Sequence, residues 1–470
     1  MEDARTRIVC TVGPASASLS VLTRMMKAGM DVARLNFSHG SHDDHAKLLK
    51  TVRAAARKAD RTVAILQDLQ GPKIRIGNLP EDGVMLHDGE VVQFSADVKE
   101  YVKGGPLPVS YARLALDVKP GHRILLDDGY LEVEALRVKG KIVSAVVKVG
   151  GVLKSRKGMN LPDSIVTAPP VTPKDKEDLI FGVAHGVDWV CLSFVTKAET
   201  LKEIRKLVNA EARRYHVRPP LIMAKVERKV AVEHMDEIIE AADGIMLGRG
   251  DLGVEIAPEL VPVVQKDIAE HCRRLGKPLI VATHMLESMK ANPRATRAEV
   301  SDVANAVFDQ VDAVMLSAES ATGRYPSVTV QMMANVIREA EASRFDELHA
   351  HAGEVVSGVE SFAYTVALMA HQGIICAAVV ASSAIGVGSR INMFRPKVPI
   401  IAAVPDASAA RQVRLRAGCY PVIIDDHAAS FVSRLHTEVR ARIPGSRGKS
   451  VAYITQGADS SLSLSLVPIR

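Results

Sequence analysis

Short apolar runs alternate along this chain with longer stretches in which apolar positions recur every three to four residues. Ile8–Val12 precedes Leu19–Ala28, Val32–Phe37 precedes His45–Ala59, and Val63–Leu66 ends at Gln67-Asp68. The first partner of each pair has the continuity of a strand buried on both faces; the second has the period of a helix laid over it. The rhythm stops at Gly71. To about Thr167 short runs are split by turn dipeptides (Asp88-Gly89, Asp128-Gly129, Lys139-Gly140), the signature of a small all-β unit. It resumes with helix Pro173–Ala184, strand Trp189–Phe194 and helix Ala198–Arg213, then strand Leu221–Val226, helix Val230–Ala241 and strand Gly244–Leu247. Helix Val261–Arg274, strand Leu279–Ala282, helix Ala298–Phe308, strand Ala313–Leu316 and helix Ser327–Glu341 complete the series.

With the β insertion set aside there are eight strand–helix pairs, which predicts an α/β fold built on a closed (β/α)8 TIM barrel; an open doubly wound sheet is the alternative. The divisions expected are 1–70 and 167–344 for the barrel, 71–166 for the insertion, and 345–470 for a C-terminal α/β unit. In that last unit Cys376–Ala381, Val398–Val404, Pro421–Ile424 and Val451–Ile454 read as strands, with Ser463–Ile469 as a final one. A barrel places its chemistry at the C-terminal ends of its strands. Arg34, Asn36, Ser38, Asp68, Lys225, Glu227, Asp251, Thr283 and Glu319 all fall at or just past predicted strand ends.

The densest case is Val32–His39, V-A-R-L-N-F-S-H, where Arg34, Asn36, Ser38 and His39 crowd the end of an apolar run before Gly40 breaks it. Buried polar groups must be paired, so four at one strand terminus point to a charged ligand. Lys225 and Glu227 share one strand face because the side-chain period is two. Gly248-Arg249-Gly250-Asp251 lets backbone approach a ligand and offers a carboxylate to a hard cation. Alone, each is also what a structural ion pair or a plain turn looks like; together, Glu227 and Asp251 make a two-carboxylate metal site. Thr283 can position water or a proton, and Lys73 and Arg75, beyond the Gly71-Pro72 turn, are placed to meet an anion.

Hydrophobic residues make up 47% of the 470 and aromatics only 4%, so aliphatic side chains must fill the cores. A formal charge of +6 spread over this length is an ordinary solvated surface, not the footprint of a nucleic-acid binder. The five cysteines, Cys10, Cys191, Cys272, Cys376 and Cys419, lack metal or redox spacing; buried thiols in a reducing cytoplasm are expected. No apolar run reaches membrane-spanning length, and neither nucleic acid nor membrane is an expected partner.

Over nearly its whole length the sequence resembles pyruvate kinase. The matching segments are Ile8–Ser16 (I-V-C-T-V-G-P-A-S), Gly29–Gly40 (G-M-D-V-A-R-L-N-F-S-H-G), Lys225–Glu227 (K-V-E) and Arg249–Glu255 (R-G-D-L-G-V-E), with Ala282–Met289 and Thr296–Val307. The resemblance implies a β-barrel lid inserted after the third barrel strand and phosphoryl transfer from phosphoenolpyruvate to ADP, the last step of glycolysis. It implies that Glu227 and Asp251 hold Mg²⁺ or Mn²⁺, and that Arg34 and Lys225 face the transferring phosphoryl group. Lys225 would also stabilise the enolate that Thr283 helps to protonate through water. Backbone at Arg249, Gly250 and Asp251 would receive the substrate carboxylate, and Asn36, His39, Arg75 and Lys174 would face the nucleotide. A homotetramer is the family's usual assembly.

The chain departs from the family pattern in three places. Where many relatives read D-T-K-G-P-E, it reads D-L-Q-G-P-K, as the family's potassium-independent branch does. In those relatives the positions of Asn36, Ser38, Asp68 and the Leu69 carbonyl bind K⁺; here the Lys73 ammonium is expected to take its place. The sugar-phosphate effector nest of other relatives is altered to Ser382, Ser383, Gly386, Gly388 and Ser389, a different anion nest if any. Gly248 and His284 replace residues usually Ala and Gln. Two rival readings are a metal-dependent lyase or aldolase and a catalytically silent homologue. Arg34, Lys174 and the lid oppose the first; intact Lys225, Glu227, Asp251 and Thr283 oppose the second.

Overall fold

The structure, a computed structural model, describes residues 4–346, 357–381, 384–424, 431–443, 445–457 and 459–469. Eight parallel strands close into a barrel: Arg7–Thr11, Met30–Asn36, Ala64–Asp68, Trp189–Leu192, Leu221–Val226, Gly244–Gly248, Leu279–Ala282 and Ala313–Leu316. Each neighbours its sequence successor and the first pairs with the eighth. Val9, Val32, Leu66, Met223, Met246, Ile280 and Met315 fill the interior, and a larger aliphatic layer lies between strands and helices. Capping boxes start three of the helices: Ser41 with Asp44, Thr172 with Asp175, and Thr296 with Glu299. All five cysteines are buried and free. Among the described residues no helix is long and apolar enough to cross a membrane.

Two expectations need correction. The helix expected over Val230–Ala241 is two pieces, Lys229–Glu233 and Met235–Ala241, because His234 leaves helical geometry (φ −111°) between them. The Gly-rich segment after the sixth strand is not an open turn but a short helix, Arg249–Glu255, whose first turn carries Asp251. An acidic side chain there suits the positive end of a helix.

After Asp68 the chain leaves the barrel and builds a six-stranded, mostly antiparallel sheet and a two-stranded one. They enclose a separate cluster of Phe94, Ile124, Leu126, Val133 and Val143. The C-terminal sheet orders its strands Cys419–Ile423, Ile400–Val404, Ile375–Val380, Ser450–Gln456 and Leu462–Pro468, only the last antiparallel.

The barrel floor is held by a fourfold device. Asp31, Asp188, Asp243 and Asp312 stand at the start of the second, fourth, sixth and eighth strands, and each accepts a backbone N–H from the preceding strand. The donors are Ile8 (3.0 Å), Ile65 (2.7 Å), Ile222 (2.8 Å) and Leu279 (3.2 Å). Each aspartate also takes an arginine. Arg414, Arg411 and Arg395 reach Asp31, Asp188 and Asp312 from the C-terminal unit, whereas Arg205 reaches Asp243 from a barrel helix. Leu415 enters the barrel's own core, and the Trp189 indole N–H donates to the Gln412 carbonyl. The segment around 407–419 therefore closes the bottom of the barrel.

Removing one member of a buried ion pair strands the other, at a cost of about 3–5 kcal/mol. Asp312→Ala, which leaves the buried Arg395 unpaired, is expected to lower the thermal midpoint more than Asp243→Ala, whose Arg205 is partly solvated. Scanning calorimetry of both variants checks the order; an equal or smaller drop for Asp312→Ala contradicts it.

Candidate active site

Four charged side chains meet at the opposite mouth. Arg34, at the end of the second strand, donates from Nε to Asp68 Oδ2 at 2.7 Å and from Nη1 to Thr11 Oγ1 at 2.8 Å. Lys225 Nζ lies 2.8 Å from Glu227 Oε1 and 3.6 Å from Asp68 Oδ2. Strand pleating turns Lys225 inward and neighbouring strands bring Arg34 and Asp68 beside it. Burial by itself would raise the Asp68 carboxyl, but Lys225 and Arg34 outweigh it and hold it below the usual carboxylate range. Burial would depress the Lys225 ammonium; Asp68 and Glu227 keep it above its ordinary value instead.

Glu227 has a different fate. It is 1% exposed, and its Oε2 accepts the Phe194 backbone N–H at 3.1 Å. Burial, with the charge of nearby Asp251 added, pushes its carboxyl up to about 7 despite Lys225. The Glu227 and Asp251 carboxyls are close enough to act on each other electrostatically. The two carboxylates stand side by side, Glu227 short of positive charge and Asp251 held low by Lys73 and Lys225 against its own burial. That is the donor set a hard divalent cation wants, since Mg²⁺ takes one or two carboxylates and fills its shell with substrate and water. Among the described residues no group of three or more His, Cys, Asp or Glu is arranged around a metal position. Gly248 makes room for it: a methyl group there would come within 2.7 Å of Glu227 Cγ.

Thr283 and His284 follow the seventh strand with φ of 71° and 56°, and Phe194 follows the fourth with φ of 56°. Left-handed geometry in a β-branched residue costs on the order of 1–3 kcal/mol and persists only where surrounding bonds enforce it. Here they do. Thr283 Oγ1 donates to the Ala282 carbonyl (2.6 Å) and accepts from the Gly250 N–H (2.8 Å). The Thr283 carbonyl takes a bond from Arg249 Nη2 at 2.9 Å. The Arg249 guanidinium turns away from the mouth to grip both oxygens of Asp302 at 2.7 Å, leaving only its backbone at the helix start beside Gly250 and Asp251.

The expected nucleotide residues are spread over three elements. Lys174 bonds the Phe37 carbonyl (2.9 Å) and Asp178 (2.5 Å), and the exposed His39 has its carbonyl bonded by His45 Nε2 at 2.9 Å. Arg75 lies at the base of the insertion on the Arg156 carbonyl (3.1 Å), not in contact with the others. In the cation cradle, Asn36 Oδ1 accepts the Ser38 N–H at 3.1 Å, and Ser193 Oγ bridges the Leu69 carbonyl (2.7 Å) and Asp68 Oδ1 (3.4 Å). Lys73 departs from expectation: its ammonium bonds Asp251 Oδ1 at 2.8 Å rather than any cradle group.

Glu319, counted above among the strand-end residues, accepts the backbone N–H of Leu286 and of Ser317 and so braces a loop. Of the altered effector nest, Ser382 and Ser383 lie outside the described residues and Gly386 is exposed. A side chain at Gly388 would touch Val380, and Ser389 packs against Gly276 of the barrel. Thr11, Ser193 and Asp302 were not legible as site residues. Each is a polar residue of common type whose partner lies on another strand or helix.

A family model described as "Pyruvate kinase, barrel domain" matches residues 3–330. The chain belongs to the pyruvate kinase family. It is 42% identical over 427 residues to the pyruvate kinase of Staphylococcus haemolyticus, covering 89% of this chain and 72% of that protein. It is 43% identical over 420 residues to that of Agrobacterium vitis, covering 88% and 86%, and 43% identical over 424 residues to that of Geobacillus stearothermophilus, covering 88% and 71%. The chain is accordingly a phosphotransferase, an enzyme of phosphoenolpyruvate and ADP.

If the Arg249–Asp302 fork holds Thr283, the two residues act as a unit. Arg249→Ala and Asp302→Ala are each expected to lower kcat roughly 10-fold, and the double variant to be little worse than either, a coupling of about 1–3 kcal/mol. Additive losses in steady-state kinetics would contradict the unit.

Proposed function

We propose that Arg34, Lys225 and Thr283 carry phosphoryl transfer from phosphoenolpyruvate to ADP, around an Mg²⁺ or Mn²⁺ ion held by Glu227 and Asp251. The observation that carries this is the buried pairing of Lys225 with Asp68 and Glu227 directly beside Asp251. When bound, the cation supplies Lewis-acid neutralisation of substrate oxygens. Phosphoryl transfer needs positioning and cancellation of spread negative charge more than covalent chemistry. The fixed guanidinium of Arg34 and ammonium of Lys225 meet the equatorial phosphoryl oxygens as the bond to the enol oxygen breaks. Lys225 then faces the enolate oxygen left behind. Its high proton affinity keeps it cationic throughout, an electrostatic stabiliser and not an acid. The Thr283 hydroxyl, pinned between Ala282 and Gly250, orients the water that protonates the enolate carbon. Backbone at Arg249, Gly250 and Asp251 receives the substrate carboxylate.

Asn36, His39, Arg75 and Lys174 face the ADP phosphates, and residues 71–166 form a lid that excludes water from the transfer. The remaining divisions of the chain are 1–70 with 167–344 for the barrel and 345–470 for a C-terminal unit used in assembly as a homotetramer. A cytoplasmic setting fits five reduced, buried thiols. In the loaded enzyme Lys73 supplies the monovalent charge of the Asn36, Ser38, Asp68 and Leu69 cradle, so K⁺ is dispensable. Ser382, Ser383, Gly386, Gly388 and Ser389 are the candidate effector region.

Coupled assay of pyruvate should show turnover only with both ADP and a divalent cation; pyruvate released without ADP would overturn the assignment. Lys225→Met should lower kcat by on the order of 10²–10³ while Tm stays near that of the parent, as loss of one charge stabiliser does. Near-parental turnover would remove Lys225 from the role. Replacing K⁺ by a tetraalkylammonium salt should leave kcat within about two-fold, a ratio worth under 0.5 kcal/mol. A many-fold requirement for K⁺ would refute the Lys73 substitution.

A further inference from the structure

The mouth of the barrel is charge-balanced without any metal. Three carboxylates, Asp68, Glu227 and Asp251, meet three cations, Arg34, Lys225 and Lys73. Arg34 and Lys225 are fixed on barrel strands. Lys73 is not: it lies in the connection that leaves the barrel for the insertion, after the turn at Gly71 (φ +66°) and Pro72. That turn is tied down by Asp175 Oδ1, which accepts the Gly71 N–H at 3.0 Å. The Lys73 stem runs past Gly158 of the returning chain, whose added Cβ would sit 3.6 Å from Lys73 Cε. Its ammonium reaches Asp251 Oδ1 at 2.8 Å, with both side chains still partly open to solvent.

From this geometry we propose that Lys73 is a resident counter-ion: it occupies the metal-binding carboxylate of Asp251 in the metal-free protein and must leave it when a divalent cation binds. The proposal rests on the metal-site reading above and deepens it. Lys73 reaches Asp251 from a connection and not from a barrel strand, and a cation of charge two beside its unmoved ammonium meets direct repulsion. Metal entry therefore exchanges one cation for another at the same carboxylate. Because Lys73 belongs to the connection that enters the insertion, that exchange frees the root of the lid, and the released ammonium becomes available to the Asn36, Ser38, Asp68 and Leu69 cradle. Lys73 is a positioning residue in this scheme; it makes metal loading and the setting of the lid a single event.

The test is Mn²⁺ binding in the absence of substrate, read as free Mn²⁺ by electron paramagnetic resonance. Lys73→Met and Lys73→Gln should each bind Mn²⁺ roughly 10-fold more tightly than the parent, the order expected for losing one competing charge-assisted hydrogen bond. Hydrogen exchange across 71–75 should speed up on Mn²⁺ addition in the parent and show no such response in Lys73→Met. Unchanged or weaker Mn²⁺ affinity in both Lys73 variants, with Asp251→Asn still abolishing binding, would overturn this proposal alone. Mn²⁺ binding that survives Asp251→Asn would overturn the metal site and the proposal together.

Discussion

A carboxylate buried in this barrel has to find a cation or a set of N–H donors, and that requirement organises both ends of it. An uncompensated charge in the interior costs several kcal/mol, so pairing is a condition of folding, not an ornament. At the floor the requirement is met permanently. Asp31, Asp188, Asp243 and Asp312 each accept a strand N–H and an arginine, and three of those arginines come from the C-terminal unit. The barrel is thereby sealed and the C-terminal unit anchored by one set of contacts. At the mouth the pairing is only partly fixed: Arg34 and Lys225 satisfy Asp68 and part of Glu227, while Asp251 is held by a lysine from a connection. The same physics makes one end a foundation and the other a binding site.

Rigidity follows the same division. The left-handed Thr283, His284 and Phe194 lie at the ends of the seventh and fourth strands, where strand geometry stops and chemistry starts. Their backbones are held from behind, Thr283 by Arg249 and Gly250, Phe194 through the carboxylate of Glu227. The mouth is in this way pre-set by bonds within the protein, which is how electrostatic preorganisation avoids reorganising during reaction.

Much of the fold was legible because its signal is periodic. Leu19–Ala28, Pro173–Ala184 and Val261–Arg274 begin and end as the apolar period predicts. Val230–Ala241 misled because the period runs on through His234 while the backbone does not. Arg249–Glu255 misled in the opposite sense: two glycines argued for a turn, and the strand before and helix after it enforced a helical one. In the site, Lys225, Glu227 and Asp251 were visible as charges at strand ends. Thr11, Ser193 and Asp302 were not, since only the closed barrel brings them to Arg34, Asp68 and Arg249. The floor aspartates do leave a trace, an Asp before four apolar runs (Asp31-Val32, Asp188-Trp189, Asp243-Gly244, Asp312-Ala313), but its meaning depends on each of these strands lying beside the one before it. The direction of Lys73 was beyond sequence, because Asp251, which it meets, lies on a different strand–helix unit.

The most direct measurement is a crystal structure with Mn²⁺ present, read by anomalous scattering at the manganese edge. A single strong peak is expected between the carboxylates of Glu227 and Asp251, with the Lys73 ammonium withdrawn from Asp251. A peak elsewhere, or Lys73 still bonded to Asp251 beside a bound ion, would contradict it.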